Sequence, residues 1–212
     1  MTTALVDYDS GNLHSAQKAF ELMASEVGSG PVILTSDPDV VAKADRVVLP
    51  GDGAFPHCRG ELFSRTALAE AIIESVTKRA VPFFGICVGM QMLATTGNEY
   101  EATDGFGWIP GHINKIAPDD PALKIPHMGW NDLIVANPHP VLAGIETGEH
   151  AYFVHSYAMT VTDPAHRIAY VDYASEITAV VGRDNIIGTQ FHPEKSQGAG
   201  LRMIGNFLRW KP

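Results

Sequence analysis

The chain has 212 residues, 45% of them hydrophobic and 18% charged, enough for one sizeable core and too few for two ordinary domains, so one domain is expected over residues 1–212. Fifteen basic against twenty-four acidic side chains leave a net charge of −9; this offers no footprint for nucleic acid and argues against an anionic membrane surface, leaving a small molecule or a protein partner. Two cysteines cannot build a secreted disulfide scaffold, Asp7 comes too early for a signal peptide, and no apolar run approaches the roughly 18 residues that cross a bilayer, so a cytoplasmic protein is expected.

The apolar run 4–6 stops at Asp7-Tyr8-Asp9-Ser10-Gly11-Asn12, a cluster of turn formers, and reads as a strand with its loop. Leu13, Ala16, Phe20, Met23 and Ala24 then follow helical spacing until Gly28-Ser29-Gly30-Pro31 halts it. Residues 32–34 and 47–49 are further short strands, and Leu62, Leu68, Ala69, Ile72, Ile73 and Val76 mark one amphipathic helix. From Val81 a buried strand runs straight into an apolar helix. Beyond Gly105 strand-like runs follow around 112–116, 133–135, 151–160, 168–173 and 177–190, with a turn at Arg183-Asp184-Asn185, and a closing helix carrying Leu201, Ile204, Phe207 and Leu208 begins after Gly198-Ala199-Gly200. This order predicts an α/β fold: a three-layer, open, mostly parallel sheet with helices on both faces and additional antiparallel strands in the C-terminal half. Chemistry is expected in the loops beyond the carboxyl ends of the strands.

Three strand ends carry residues suited to chemistry. Gly85-Ile86-Cys87-Val88-Gly89 is a thiol version of the nucleophile elbow, in which glycines permit a tight turn where a Cβ would clash and the nucleophile is pushed out above the sheet. The helix after Cys87 is expected to aim its free N–H groups and positive end at the sulfur and favour thiolate, with the Val88 N–H placed for an oxyanion. Read alone, Cys87 could equally be a small buried hydrophobe; its two glycines weigh against that, whereas Cys58 lacks such a frame and reads as packing. His192-Pro193-Glu194 ends another strand. In extended chain the first and third residues face one side, so Glu194 can orient the His192 ring and leave the other ring nitrogen for the thiol, a Cys-His-Glu triad. Pro50-Gly51-Asp52-Gly53 ends a third strand, and its glycines suit an oxyanion-binding turn; no third glycine or P-loop lysine supports a phosphate loop. The nine histidines show no His-x-x-x-His or paired-cysteine spacing, so neither a metal nor a cofactor is expected. Ser156 lies inside a strand-like run with no elbow and reads as lining or structural.

In this order the three motifs resemble the class I, triad-type glutamine amidotransferases over nearly the whole chain. The resemblance implies that Cys87 attacks the side-chain amide of glutamine, that His192 shuttles protons and that Glu194 orients it. It implies further that Gly51, Asp52, Gly53 and Val88 bind the oxyanion, and that Gln91 and the backbone of Ser156 and Tyr157 contact glutamine. Such a glutaminase occupies roughly 200 residues, so the site that uses the ammonia is expected on another chain. Residues 7–13, Pro126-His127-Met128-Gly129-Trp130-Asn131 and residues 152–158 resemble one branch, whose glutaminase forms a heterodimer with a β/α-barrel cyclase subunit in histidine biosynthesis. Trp130, Asn131 and Tyr152 are the expected docking residues, since aromatic anchors dominate many interfaces. Asp52 stands where relatives often carry valine, and a carboxylate beside an oxyanion is unfavourable, so Asp52 is expected to point away or to hold the turn inactive until the cyclase binds. A triad amidotransferase of another pathway, a non-catalytic regulatory module and a cysteine hydrolase on a related fold stay open at this point.

Overall fold

In the computed structural model, which describes residues 1–212, the first half alternates strand and helix as its hydrophobic periods predict. Strand β1 (Thr3–Val6) is buried throughout. Helix α1 (Leu13–Val27) buries Ala16, Phe20 and Met23 and ends at Gly28, whose φ of 66° is the left-handed conformation a Cβ disfavours. After β2 (Val32–Thr35) comes α2 (Pro38–Lys43), a helix the spacing did not reveal because one turn and a half buries only Val41. Its signal is local instead: Pro38 opens it and the Asp37 carboxylate accepts from the Asp39 N–H at 2.8 Å.

Strand β3 (Arg46–Leu49) leads to α3 (Phe55–Ser64) and α4 (Thr66–Thr77). These two replace the single helix expected through Leu62 and Val76: Arg65 leaves the helical region at φ −92°, ψ 66°, so Leu62 packs from α3 and Leu68 from α4. Strand β4 (Phe83–Ile86) meets the expected apolar helix as α5 (Val88–Gln91), which is a single turn.

The second half holds β5 (Thr96–Glu99), β6 (Glu101–Asp104), β7 (Gly111–Lys115), β8 (His127–Asp132), β9 (Ile134–Val135), β10 (His150–His155), β11 (Tyr157–Val161), β12 (Arg167–Asp172), β13 (Glu176–Arg183), β14 (Ile186–Thr189) and α6 (Gln197–Arg209). The run expected over 151–160 is two strands. β10 pairs antiparallel with β8 and β11 pairs antiparallel with β7, so Ser156 is the corner where the chain changes sheets. The closing helix starts at Gln197, before the glycines expected to precede it, because a Cβ at Gly200 would strike the Pro193 carbonyl and only glycine lets α6 lie that close.

The main sheet has the order β2-β1-β3-β4-β14-β13-β12-β9. Its first five strands are parallel and the last three antiparallel, the mixture expected from the change of pattern after Gly105. Both faces are covered. Phe84 of β4 packs on Phe20 of α1 and Phe207 of α6, with centroids 6.0 and 5.1 Å away. Phe83, its neighbour on the opposite face, meets Trp108 at 5.3 Å, and through Trp108 and Phe106 the stack reaches Phe63 of α3. No helix is long and apolar enough to cross a membrane. Because β1, β3, β4 and β14 run parallel, the segments that follow them emerge at one edge: Tyr8 to Ser10, Pro50 to Gly53, Cys87, and Gln190 to His192.

Candidate active site

Cys87 sits between β4 and α5 at φ 55°, ψ −112°, a conformation costly for a residue with a Cβ and held here by the sheet: its N–H donates to the Thr189 carbonyl at 2.8 Å. Three glycines make the turn possible. Gly85 and Gly188 stand opposite each other in register, and a Cβ at Gly188 would lie 2.7 Å from Met90 Cγ while one at Gly85 would lie 2.6 Å from the Gly89 carbonyl oxygen. A Cβ at Gly89 would fall on the Leu49 carbonyl of β3. Gly89→Ala is therefore expected to destabilise the chain by about 1–3 kcal/mol in urea denaturation. The control is Gly198→Ala inside α6, whose Cβ meets nothing within 4 Å, and which should leave the midpoint at or slightly above its wild-type value. With only four residues, α5 supplies little of a helix dipole; what acts on the sulfur is local, the Gln190 amide N–H 3.8 Å away and the charge of the His192 ring.

His192 follows β14 in extended conformation, but Pro193–Lys195 is a 3-10 turn, so it is a turn rather than an extended i, i+2 pair that brings Glu194 back onto the ring. Its Oε1 lies 2.9 Å from His192 Nδ1, with both side chains almost wholly buried. This leaves Nε2 for Cys87, whose sulfur is one of the two partners that raise the ring's pKa. Burial pushes the imidazole pKa down, but the hydrogen bonds to Cys87 and Glu194 and the charges of both outweigh it and raise the pKa to about 10, so the ring is cationic at neutral pH. The backbone of His192 is pinned as well, by its N–H to the Tyr152 carbonyl at 3.2 Å and by Ser196 Oγ, which donates to the His192 carbonyl at 2.7 Å. A cationic imidazole locked against a sulfur nucleophile is a proton donor for a departing amine.

Beside the sulfur is a cavity of about 260 Å³, lined by Cys87, Val88, Gln91, Glu99, Ser156 and Tyr157 together with Asp52, Gly53 and His155. The sequence-predicted pocket residues are thus brought together here, apart from Gly51, which packs behind: a Cβ on it would lie 2.8 to 2.9 Å from the Gly89 nitrogen, Tyr8 Oη and Val88 Cβ. The turn 50–53 is clasped from the β1 side. Tyr8 Oη donates to the Pro50 carbonyl at 2.7 Å, and Ser10 Oγ donates to the Asp52 carbonyl at 3.0 Å while lying 3.4 Å from the Asp52 N–H. The Cys58 thiol, kept neutral by burial, donates to the same carbonyl at 3.3 Å. The Asp52 N–H therefore faces Ser10, and its carboxylate is exposed.

Two residues in the site carried no sequence motif. Glu99 brings a carboxylate to the cavity wall, one oxygen accepting from the Phe55 N–H at 2.8 Å and the other left for a ligand cation. Gln190 joins Gln91 to the sulfur; it precedes His192 by two, a spacing that could have flagged it. The expected docking residues divide. Trp130 is 47% exposed and lies edge-on to Tyr152, its partner across β8 and β10, at 5.8 Å, with Met128 exposed on the same strand. Asn131 alternates to the other side and is tied inward, its amide donating to the Asp172 carbonyl at 3.0 Å and lying 3.3 Å from His127 Nε2.

Comparisons with known proteins agree with this geometry. Residues 8–210 match the family described as glutamine amidotransferase class-I. Over 212 residues, all of both chains, the sequence is 66% identical to a Cereibacter sphaeroides protein described as imidazole glycerol phosphate synthase subunit HisH. A Rhodospirillum rubrum protein of the same description is 56% identical over 214 residues, again with both chains fully covered. Among solved structures, one described as a glutamine amidotransferase superposes with a TM-score of 0.72 at 14% identity, covering 98% of this chain and 99% of that one. A putative GMP synthase protein from Thermoplasma acidophilum superposes with 0.69 at 19%, covering 99% and 92%.

Proposed function

The chain belongs to the class-I glutamine amidotransferases, and on that premise we propose that it is the glutaminase subunit of imidazole glycerol phosphate synthase, a cytoplasmic enzyme of histidine biosynthesis, with its single domain given over to releasing ammonia from glutamine. The observation that carries the chemistry is Cys87 in a strained turn, electrostatically coupled to an imidazole that Glu194 holds at 2.9 Å. Full-length likeness to the relatives supports the pathway.

Glutamine enters the cavity with its α-ammonium toward Glu99 and its side-chain amide over the sulfur. Cys87 Sγ attacks the amide carbon, and the carbonyl electrons move to an oxyanion met by the Val88 N–H and the turn containing Gly51, Asp52 and Gly53. The C–N bond breaks as His192 gives its proton to the nitrogen, ammonia leaves, and a glutamyl thioester stays on Cys87. Water then attacks that carbonyl, His192 takes the water proton, and glutamate departs as the thiolate and imidazolium reform. Gln91 orients the substrate: both hydrogens of its amide are spent on the Tyr157 carbonyl and Gln190 Oε1, each at 3.1 Å, so its own oxygen is left to accept from glutamine.

The partner is a β/α-barrel cyclase that takes the ammonia and a phosphoribulosyl formimino carboxamide ribonucleotide to imidazole glycerol phosphate and an aminoimidazole carboxamide ribonucleotide. It docks on the exposed Trp130 and Met128 beside Tyr152. Trp130→Ala is expected to weaken the complex by about 2 kcal/mol or more, measured as Kd by calorimetry, with isolated-chain stability little changed. The clasped turn, with its Asp52 N–H on Ser10, supports low glutaminase activity in the free chain. Glutamate release should therefore rise strongly when the cyclase and its nucleotide are added together. Turnover indifferent to that pair would move the chain to another pathway, and no turnover in any state would sink the glutaminase reading.

A further inference from the structure

Two buried histidines, His127 on β8 and His155 at the end of β10, belong to neither the triad nor the exposed docking surface. His155 Nδ1 lies 2.9 Å from the Tyr157 carbonyl, which can only accept, so Nδ1 carries the hydrogen and Nε2 is an acceptor. Nε2 lies 3.0 Å from His127 Nδ1, which must then be the donor, leaving His127 Nε2 to accept from the Asn131 amide at 3.3 Å. Every direction is fixed by the first carbonyl. Beyond that carbonyl the line continues: Gln91 donates to it and to Gln190, and Gln190 donates to Cys87. An unbroken row of polar groups thus runs from the strand bearing Trp130 to the nucleophile.

Resting on the glutaminase reading, we infer that His127 and His155 are positioning residues for the reaction: together they aim the Tyr157 carbonyl, which sets the Gln91 amide and with it the side of the cavity that holds glutamine. The arrangement demands that both rings be neutral. Burial lowers the pKa of each to about 4, helped at His155 by the neighbouring His127 and His192, so a neutral pair persists at working pH. Packing immobilises the same rings, with His127 stacked on Phe153 at 4.9 Å and against Tyr173 at 4.2 Å. Asn131 ends the row on β8, the strand whose other side presents Trp130, so a partner seated on that strand presses on the residue from which the alignment starts.

The test uses His127, which does not line the cavity. In the complex with the cyclase, His127→Phe keeps the ring but donates nothing, and is expected to raise the KM for glutamine about 10-fold with kcat changed less than 3-fold and with unchanged alkylation of Cys87 by iodoacetamide. His127→Asn places an amide N–H where Nδ1 was and should recover most of the KM. A wild-type KM in His127→Phe, or no recovery in His127→Asn, overturns the inference. A parallel reading needs no turnover: nitrogen NMR of the wild-type chain should show both rings as neutral Nδ1–H tautomers, and an Nε2–H tautomer at either overturns the inference too. Wild-type complex that fails to hydrolyse glutamine would strike the glutaminase reading instead, while the tautomers still judge the row.

Discussion

Cys87→Ala is expected to abolish glutamine hydrolysis, by a factor of about 10⁴ or more, while the complex still makes product when ammonia is supplied in solution. Alanine keeps a Cβ and adopts φ 55° no more easily than cysteine does, so the turn, the Cys87 N–H to Thr189 bond and the glycine contacts around it are retained. What disappears is the only atom that can form the thioester. The Cys58 thiol cannot substitute, because it is buried beneath the turn 50–53, bonded to Ser10 and Asp52, and burial raises its pKa. A steady-state assay of glutamate release beside an ammonia-driven assay of the cyclase separates the two activities. Residual hydrolysis in the variant would mean another nucleophile, and loss of the ammonia reaction as well would mean that the substitution had damaged the docked assembly.

The parallel half of the fold was legible in the sequence because its buried strands are short apolar runs, β1 closed by Asp7, β3 by Pro50 and β4 by the elbow at Cys87, and α1 keeps its apolar stripe over four turns. The places that escaped were those where one residue decides. Arg65 divides α3 from α4 through a backbone conformation that no periodicity records, and Ser156 turns the chain between two sheets inside a run whose residues all suit a strand. In the site, the three motifs sit at strand ends that parallel order forces to one edge, so Cys87, His192 and Gly51 to Gly53 could be found from local spacing. Glu194 lies beside His192 through a 3-10 turn, where the spacing suggests an extended pair. Glu99 and His155 reach the cavity, and His127 reaches His155, by pairing across strands, which a single sequence does not display. Asn131 shows the converse: strand alternation already separates it from Trp130, and its amide is committed to the Asp172 carbonyl and the His127 ring.

Glu194→Gln should lower kcat by about 10²–10⁴ and move the alkaline limb of kcat/KM downward. The amide can still accept a hydrogen bond from His192 Nδ1, so the ring orientation is kept and only the charge is lost. In the wild type, burial lowers the His192 pKa, and hydrogen bonds and charge from Cys87 and Glu194 carry it up to about 10; one of the two raising partners is removed in the variant. Departure of ammonia needs the protonated ring, so wild-type activity persists until the pH approaches 10, whereas the variant should lose it nearer the ordinary histidine range. Stability follows the same sign. A histidine whose folded pKa lies above its unfolded value of 6.5 stabilises fully below pH 6.5, and that contribution fades as the pH rises toward 10. The variant should accordingly fall furthest below wild type in thermal midpoint near pH 6 and approach it near pH 9.5. If the two alkaline limbs coincide, the charge that holds the His192 proton does not come from Glu194, and the unpaired second carboxylate oxygen, buried with no hydrogen-bond partner, would then be a cost without a catalytic return.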